Sequence, residues 1–318
     1  MHIVVTGGAG YIGSVVSAQL VEAGHEVTVV DDLSTGHADA VPAGARFVQS
    51  SIFDIAAVFA ENPTDAVIHL AAKSLVGEST ARPELYWHNN VVGTLSLLDA
   101  MAAHGVGRIV FSSSAATYGA VDDKPIPETA PARPASPYGA TKLAIDLALA
   151  DYASRYGFAA VSLRYFNVAG ALVTDSQTFG ERHATETHLI PTALAAAAGV
   201  GDKLTLFGTD YPTPDGTCVR DYLHVVDLGI AHLRALDGPT GHQVINLGSG
   251  RGYSVREVLA AVEQVTGSPV PVVESARRAG DPPVLIAAVD RALEVLNWRP
   301  ELDLTAMVRD AWTASWRA

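Results

Sequence analysis

Short apolar runs alternate with longer amphipathic stretches through the first half of the chain. Runs rich in β-branched residues are typical of buried strands, and they occur as Ile3–Thr6, "EVTVV", "RFVQS", "AVIHLAA", "RIVFSSS" and "AVSLRYFNVAG". The stretches between them place apolar residues at helical spacing, notably over residues 12–23, 84–103 and 138–156. This alternation indicates right-handed crossovers between parallel strands. We therefore predict an α/β fold with a Rossmann-type, doubly wound parallel sheet.

The rhythm changes after about Gly170. Loops punctuated by Gly and Pro follow, as in "GTDYPTPDGTCVRDY", before "GHQVINLG" indicates a further strand. Ser254 and Glu257 form a capping box that opens the helix "VREVLAAVEQVTG". We predict a first, nucleotide-binding domain over residues 1–170 and a smaller α/β domain for the substrate over residues 171–318. Later segments can return to the first domain.

The first strand leads into a glycine turn, "HIVVTGGAGYIGS". Its glycines fit both G-x-G-x-x-G and G-x-x-G-x-x-G, and they let the backbone approach a pyrophosphate at a helix N-terminus. Asp31 follows the second strand, where an acid can accept the ribose hydroxyls of adenosine and repel a 2′-phosphate. NAD is therefore predicted rather than NADP. The alternative for Asp31 is an ordinary turn residue before Asp32.

Composition narrows the function classes. With 318 residues, of which 48% are hydrophobic and 17% charged, the chain can bury one large core or two joined ones. A net charge of −13 argues against a nucleic-acid partner, and an anionic ligand would need a local basic cluster. Cys218 is the only cysteine, so neither a disulfide nor a Cys-built metal site is expected, and we predict no metal. The early first strand and the short run "IPTALAAAAGVG" predict a cytoplasmic protein without a signal peptide or membrane partner.

Candidate catalytic groups lie in the middle of the chain. In "SPYGATK", Tyr138 and Lys142 are four residues apart and share one face of a helix. A nearby ammonium and an oxidised nicotinamide would both favour the phenolate, so that Tyr138 could remove a hydroxyl proton. Ser114 ends the strand "RIVFSSS", at the edge where parallel sheets bind ligands. The alternatives are an ordinary amphipathic helix and a turn-forming serine.

Together, the glycine turn, Ser114 and the Tyr138/Lys142 pair resemble the extended short-chain dehydrogenase/reductase family over the whole chain. The segments "RYFNVAG", "LTLFGTDYPTPDGTCVRDYLHVVDL" and "RRAGDPP" are similar to those of its UDP-sugar epimerases. The resemblance implies an NAD-dependent nucleotide-sugar 4-epimerase, an isomerase that interconverts UDP-glucose and UDP-galactose. Carbon 4 would pass a hydride to a tightly held NAD and recover it on the opposite face of a transient 4-keto sugar. A homodimer built from two helices per subunit, here residues 84–103 and 138–156, is also implied.

The resemblance assigns residues to roles. Its catalytic positions are Ser114, Tyr138 as the base, and Lys142, which tunes the tyrosine and holds the nicotinamide ribose. The implied cofactor-binding residues are Gly7, Gly10, Tyr11, Ile12, Asp31, Ser51, Ile52, Lys73, Asn89, Ser112, Tyr138, Lys142 and Tyr165. The implied substrate-binding residues are Ser114, Tyr138, Asn167, His188, Leu189, Leu204, Phe207, Arg220, Arg278, Asp281 and Leu285. Arg220 and Arg278 would supply the cations that a diphosphate needs, although surface ion pairs, such as Arg220 with Asp221 or Asp227, are the alternative.

Four positions depart from the family pattern. Ser51 replaces a usual aspartate, so an adenine contact is lost or passes to Asp54. Lys73 is displaced by one position from a lysine near the nicotinamide, and it either serves the same end or is solvated. His188 replaces an asparagine and is assigned only a diphosphate contact. Leu285 stands at the wall that restricts the sugar, and its intermediate size leaves N-acetylated and pentose UDP-sugars open.

Other functions predict different residues. A nucleotide-sugar 4,6-dehydratase needs an adjacent acid pair, which "SSSAATYG" does not offer. A dinucleotide sensor that had lost its chemistry would not need Ser114, Tyr138 and Lys142 together. An epimerase of UDP-pentoses or UDP-N-acetylhexosamines remains a third alternative.

Overall fold

The structure is a computed structural model that describes residues 1–121, 125–278 and 280–316. Ala279, inside the segment "RRAGDPP", lies outside the described residues. The strands are β1 (His2–Thr6), β2 (Glu26–Asp31), β3 (Arg46–Gln49), β4 (Ala66–His69), β5 (Arg108–Ser114), β6 (Ala159–Tyr165), β7 (Asn167–Ala169), β8 (Leu172–Val173), β9 (Thr178–Phe179), β10 (Leu204–Phe207), β11 (Val219–His224), β12 (Gly241–Leu247), β13 (Gly252–Ser254), β14 (Val272–Ser275) and β15 (Val284–Leu285).

The helices are α1 (Tyr11–Glu22), α2 (Ile55–Glu61), α3 (Val76–Ala81), α4 (Pro83–Tyr86), α5 (Gly93–His104), α6 (Pro137–Tyr156), α7 (Leu189–Ala197), α8 (Val225–Ala235), α9 (Val255–Thr266), α10 (Asp290–Leu296) and α11 (Leu304–Trp316). Short 3₁₀ turns cover Ala38–Ala40, Ile52–Asp54 and Ala115–Thr117, and a π-helical segment covers Trp87–Val92. No helix in the described ranges is both long and apolar enough to span a bilayer.

A seven-stranded parallel sheet organises the N-terminal part, in the order β12-β6-β5-β4-β1-β2-β3. Every residue of β1 and β6 is buried, as expected for strands covered on both faces. Residues from α1, α8 and α10 join the core on one face, and residues from α2, α5 and α6 join the core on the other. The predicted fold class is confirmed. The strand order reverses between β1 and β4, which is where such sheets bind ligands.

The chain leaves this sheet after Tyr165. Phe166 separates β6 from β7, and β7 pairs with β11 in a second, smaller sheet that also contains β13 and β15. A third core, formed mainly by α7, α9 and α11, supports it. The crossing places Tyr165 and Asn167 at the junction of the two sheets. The boundary at residue 170 stays a prediction, and β12 and α8 return to the large sheet and its core.

Local predictions fare differently. The capping box of α9 is confirmed, because Ser254 Oγ accepts a hydrogen bond from the Glu257 amide (3.1 Å) and Glu257 Oε2 accepts one from the Ser254 amide (2.7 Å). The helix predicted over residues 84–103 is instead α4, the π-helical segment and α5 in succession. Periodicity alone does not reveal the wider π turn, which is a feature frequent at functional sites.

Candidate active site

The glycine turn joins β1 to α1 at the centre of the large sheet. Gly7 has φ +72°, and a Cβ there would lie 2.5 Å from the Ala71 nitrogen. A Cβ on Gly13 would lie 2.1 Å from the Gly7 carbonyl oxygen, whereas Gly10 leaves more space. No side chain caps the N-terminus of α1, so this bare backbone fits the pyrophosphate of NAD.

Tyr11 and Ile12 begin α1. The Tyr11 hydroxyl donates to the Gly170 carbonyl (2.7 Å), and burial raises the pKa of Tyr11 well above its ordinary value. Ile12 packs against the first core. Both side chains therefore hold the turn in place, and a cofactor would meet mainly the backbone at these positions.

Asp31 ends β2, at the edge predicted for the adenosine ribose. Its Oδ2 accepts from the Ala9 amide (3.0 Å) and its Oδ1 from the Leu33 amide (2.8 Å). Burial raises the pKa of this carboxyl. Asp31 thus orders the glycine turn as well as the loop that follows it, and a carboxylate retains acceptor capacity for ribose hydroxyls beyond these two bonds.

On the adenine side, Ser51 caps the 3₁₀ turn Ile52–Asp54. Its Oγ accepts from the Phe53 amide (3.3 Å), Ile52 is buried, and Asp54 is exposed. The hydroxyl of Ser51 is therefore engaged locally.

Asn90, which is not among the predicted site residues, organises the loop that contains Lys73. Its amide accepts from the Lys73 backbone nitrogen (2.8 Å) and donates to the Lys73 carbonyl (2.9 Å) and to Thr141 Oγ1 on α6 (3.2 Å). Asn89 Nδ2 donates to Asn90 Oδ1 (3.1 Å). The π-helical segment thus holds the Lys73 loop against the catalytic helix. The neighbouring asparagine was the only sequence signal for this role.

The three predicted catalytic residues converge at the carboxyl end of β5. Ser114 is the last residue of that strand, and Tyr138 and Lys142 lie in the first turns of α6, which Pro137 begins and Ser136 caps. Lys142 Nζ donates to the Ser112 carbonyl (2.6 Å) and lies 5.9 Å from the centre of the Tyr138 ring. The fold thereby brings Tyr138 and Lys142, which follow Ser114 by 24 and 28 positions in the sequence, into one site with it.

The electrostatics of this site differ from the expectation for Tyr138. Burial raises the pKa of the phenol, and a hydrogen bond with Ser114 only partly opposes this. Burial also lowers the pKa of Lys142 to about 7, although the charge of Asp146 acts in the opposite direction. The chain alone therefore keeps Tyr138 protonated, and the lowering that a base needs has to come from the charge of a bound cofactor.

A buried ion pair between Asp146 and Arg164 lies one turn beyond Lys142, and neither residue is among the predicted site residues. Asp146 Oδ2 accepts from the Arg164 guanidinium (2.8 and 2.9 Å) and from Ser113 Oγ (3.1 Å). Asp146 is on the same face of α6 as Lys142, so the i, i+4 spacing was the available signal. Nearby, Ser112 Oγ and the Tyr165 hydroxyl are hydrogen-bonded to each other, and burial raises the pKa of Tyr165.

Four of the residues predicted to bind UDP contact one another in two pairs. Arg220 is ion-paired with Asp281, not with Asp221 or Asp227, and the Arg278 guanidinium stacks over the Phe207 ring at 4.1 Å. That these two cations bind a diphosphate stays a prediction.

Asn167, Leu285, Leu189 and Leu204 are further predicted substrate residues in this part of the molecule. Asn167 Nδ2 donates to the Asp221 carbonyl (2.9 Å), and Leu285 is the register partner of Arg220. Leu189 starts α7, whereas the side chain of Leu204 is buried in the third core, so that a ligand could meet only its backbone.

His188 is the N-cap residue of α7. Its Nδ1 lies 2.6 Å from Glu181 and 3.0 Å from Glu186. These two carboxylates raise the pKa of His188 to about 10, against the effect of burial. The imidazole is therefore already engaged by acidic partners rather than directed at an anion.

Comparison with known proteins agrees with this geometry. Residues 3–248 match the model of the NAD dependent epimerase/dehydratase family. The chain is 52% identical to the UDP-glucose 4-epimerase of Corynebacterium glutamicum, over 98% of this chain and 95% of that protein. It is similar to the crystal structure of UDP-glucose 4-epimerase from Brucella ovis in complex with NAD (46% identity, TM-score 0.94, 98% of this chain and 97% of that one). It is also similar to the enzyme of Stenotrophomonas maltophila with bound NAD and formylated UDP-arabinopyranose (42% identity, TM-score 0.94, 98% and 97%).

The glycine turn fits NAD, and the three predicted catalytic residues are brought together at the same carboxyl edge of the large sheet, two strands from the turn. The predicted family and NAD as its cofactor are confirmed: the chain belongs to the NAD dependent epimerase/dehydratase family.

Proposed function

We propose that this enzyme interconverts UDP-glucose and UDP-galactose by inverting carbon 4 of the sugar. The observation that carries the proposal is the convergence of Ser114, Tyr138 and Lys142 at the carboxyl end of β5, the same edge of the sheet as the glycine turn, which follows β1 two strands away. The relative from Corynebacterium glutamicum is named UDP-glucose 4-epimerase, and its 52% identity over nearly the whole chain supports the proposal.

Tyr138 is the proton acceptor in this proposal. Its hydroxyl would take the proton of the sugar 4-hydroxyl and return it when the configuration has inverted. Ser114, whose hydroxyl lowers the pKa of Tyr138 and so lies on the same side of the site, would orient the same sugar oxygen. Bound NAD supplies the reversible oxidation at carbon 4.

Lys142 holds its ammonium beside the phenol through the Ser112 carbonyl. A group with a pKa of about 7 changes charge readily near neutral pH. It can therefore respond to the negative charge that develops on Tyr138 and also donate to the nicotinamide ribose.

The substrate would be held at a distance from the reacting carbon. Arg220 and Arg278 would bind the diphosphate, with Asp281 and Phe207 positioning the two guanidinium groups. An anchor on UDP lets the sugar turn over within the site while the oxidised sugar is retained. This arrangement suits a reaction without net oxidation.

We also propose a homodimer and a cytoplasmic location. The exposed apolar side chains of Trp87, Val92, Leu147 and Tyr156 lie on the π-helical segment and on α6, the helices implied for dimerisation. The single cysteine, Cys218, is buried and unpaired, in keeping with a reducing compartment.

The test is incubation of the purified protein, without added cofactor, with UDP-galactose, followed by chromatographic separation of the sugar nucleotides. We expect UDP-glucose to form, and NAD to be released only when the protein is denatured. The Tyr138→Phe variant should lose about 10²- to 10⁴-fold in turnover, because general acid–base catalysis contributes that much. Its NAD content should equal that of the wild type.

Other outcomes separate the alternatives. A protein that binds NAD and UDP but never converts UDP-galactose, even with NAD supplied, would favour a sensor. Turnover of UDP-N-acetylgalactosamine or UDP-xylose in place of UDP-galactose would move the proposal to another sugar, a question that Leu285 leaves open.

A further inference from the structure

The segment between β9 and α7 brings two histidines and two glutamates to one point. Glu181, His183, Glu186 and His188 each offer one ligand atom, and these atoms lie within 4.8 Å of one another. The proposed epimerase chemistry uses none of them as a proton donor or acceptor. Three of the four residues are partly buried.

Each of the two imidazole Nδ1 atoms contacts both carboxylates. His188 Nδ1 lies 2.6 Å from Glu181 and 3.0 Å from Glu186, and His183 Nδ1 lies 3.1 Å and 3.4 Å from the same two carboxylates. Ligands at about 2.0–2.1 Å from a tetrahedral zinc ion are roughly 3.4 Å apart. The nitrogen–oxygen separations of 2.6–3.4 Å and the limit of 4.8 Å for all four donor atoms lie on either side of that spacing, so side-chain shifts of about 1 Å would adapt the cluster to such an ion.

His183 adds a separate observation. Its Nδ1 is covered by protein and lies 3.1 Å from Glu181 and 3.4 Å from Glu186, but neither contact has the angles of a well-formed hydrogen bond. A buried ring nitrogen without a hydrogen bond is costly unless another partner satisfies it. A metal ion at the centre of the four donor groups would be that partner.

We propose that Glu181, His183, Glu186 and His188 form a structural site for a divalent transition-metal ion of the zinc type. An ion that binds here would displace the protons that the two histidines hold between themselves and the carboxylates. Two imidazoles made neutral in this way and two carboxylates balance a charge of +2, and imidazole ligands favour zinc-like ions over Mg²⁺ or Ca²⁺. Four protein ligands leave no open position, which is typical of structural rather than catalytic zinc. The single cysteine predicts no Cys-built metal site, but this donor set needs no cysteine.

The site would hold together two parts of the molecule. Arg182, inside the cluster segment, contacts Asp39 at 3.1 Å, and its carbonyl oxygen lies 3.0 Å from His37 Nε2. Asp39 and His37 belong to the loop after β2, whereas His188 caps α7. A bound ion would therefore fix the segment that connects the cofactor-side loop to the start of α7.

The experiment measures metal binding by the full-length protein. Metal-free protein, dialysed against a chelator, is equilibrated with micromolar Zn²⁺, and bound zinc is counted by mass spectrometry. We expect a stoichiometry near one, and a higher melting temperature with Zn²⁺ than without it. Co²⁺ bound to the wild-type protein should give the strong visible absorption of a four-coordinate site. This measurement does not depend on whether a variant folds.

His183→Ala and Glu186→Gln should each weaken Zn²⁺ binding at least about tenfold, since even indirect partners of a metal ligand are worth that much. His25→Ala, at a histidine outside the cluster, should bind Zn²⁺ like the wild type. No bound zinc in the wild type, or binding that both cluster variants leave intact, would overturn the proposal. These readouts are independent of epimerase activity.

Discussion

Gly13 and Gly77 are both helical glycines, but their surroundings differ. A Cβ on Gly13 would overlap the Gly7 carbonyl oxygen at 2.1 Å, whereas a Cβ on Gly77, in α3, would meet nothing within 4 Å. Gly13→Ala should therefore destabilise the protein by about 1–3 kcal/mol, the usual range for overpacking, and lower its NAD content. Gly77→Ala is the control and should stabilise by about 0.5–1 kcal/mol. Urea unfolding and NAD release measure both effects, and an unaffected Gly13→Ala variant would contradict the packing argument.

Arg278 carries a prediction about the substrate. Its guanidinium lies over the Phe207 ring, so Arg278→Met should keep much of the packing and lose the charge. A charge-assisted hydrogen bond is worth about 1.5–3 kcal/mol, which corresponds to a rise of roughly 10- to 100-fold in the KM for UDP-galactose. NAD content should not change.

Arg256→Met is the matched control, because Arg256 is an exposed arginine paired with Glu274 on the surface. It should show wild-type kinetics. A fall in kcat with an unchanged KM in Arg278→Met would place Arg278 away from the diphosphate.

His69 connects three elements of the large sheet and its helices. From β4, its Nδ1 is 2.6 Å from Thr6 Oγ1 on β1 and its Nε2 is 2.8 Å from Thr94 Oγ1 on α5. Burial lowers the pKa of His69 to about 3. Between about pH 6.5 and pH 3 the unfolded chain binds a proton here that the native protein does not, so stability falls as the pH falls.

The titration of His69 changes the free energy of unfolding by at most about 1.4 kcal/mol per pH unit. His69→Gln should remove it, and the free energy of unfolding between pH 6 and pH 4 should then depend less on pH by about one proton. Urea unfolding at several pH values measures this slope. A variant with the wild-type slope would show that His69 is not the titrating group.

The elements themselves were largely predictable, because buried parallel strands and amphipathic helices each have a distinct pattern. Ser114, Tyr138 and Lys142 could be predicted as a catalytic set because Ser114 ends a strand pattern and the other two residues share one face of a helix. Their convergence is seen in the structure, whereas their roles stay predictions. The Arg220–Asp281 pair joins residues 61 positions apart, so no local pattern indicates it. Likewise, β7 exists only through its pairing with β11, and the roles of Asn90 and Asp146 depend on helix packing.

At the scale of the whole molecule, the exposed apolar side chains on α6 predict its assembly. Leu147 is 63% exposed on a helix that otherwise packs against the large sheet. Leu147→Glu should shift the proposed dimer to monomer, because an unpaired charge would be buried at the interface. Analytical ultracentrifugation measures the mass.

Val200→Glu is the control for this substitution. Val200 is 73% exposed but follows α7, away from the helices implied for dimerisation. It should sediment like the wild type. Equal masses for all three proteins would contradict the assignment of this surface.

The return of β12 to the large sheet has a consequence for biosynthesis. β12 pairs with all seven residues of β6, yet it is made only after residues 166–240, much of the second sheet region among them. A nascent chain that has just completed β6 therefore carries an unpaired strand edge at the ribosome, and such edges promote aggregation. A fragment that ends at residue 170 would keep that edge permanently. We expect the two halves to mature as one cooperative unit, which forms only when β12 has been made and has paired with β6.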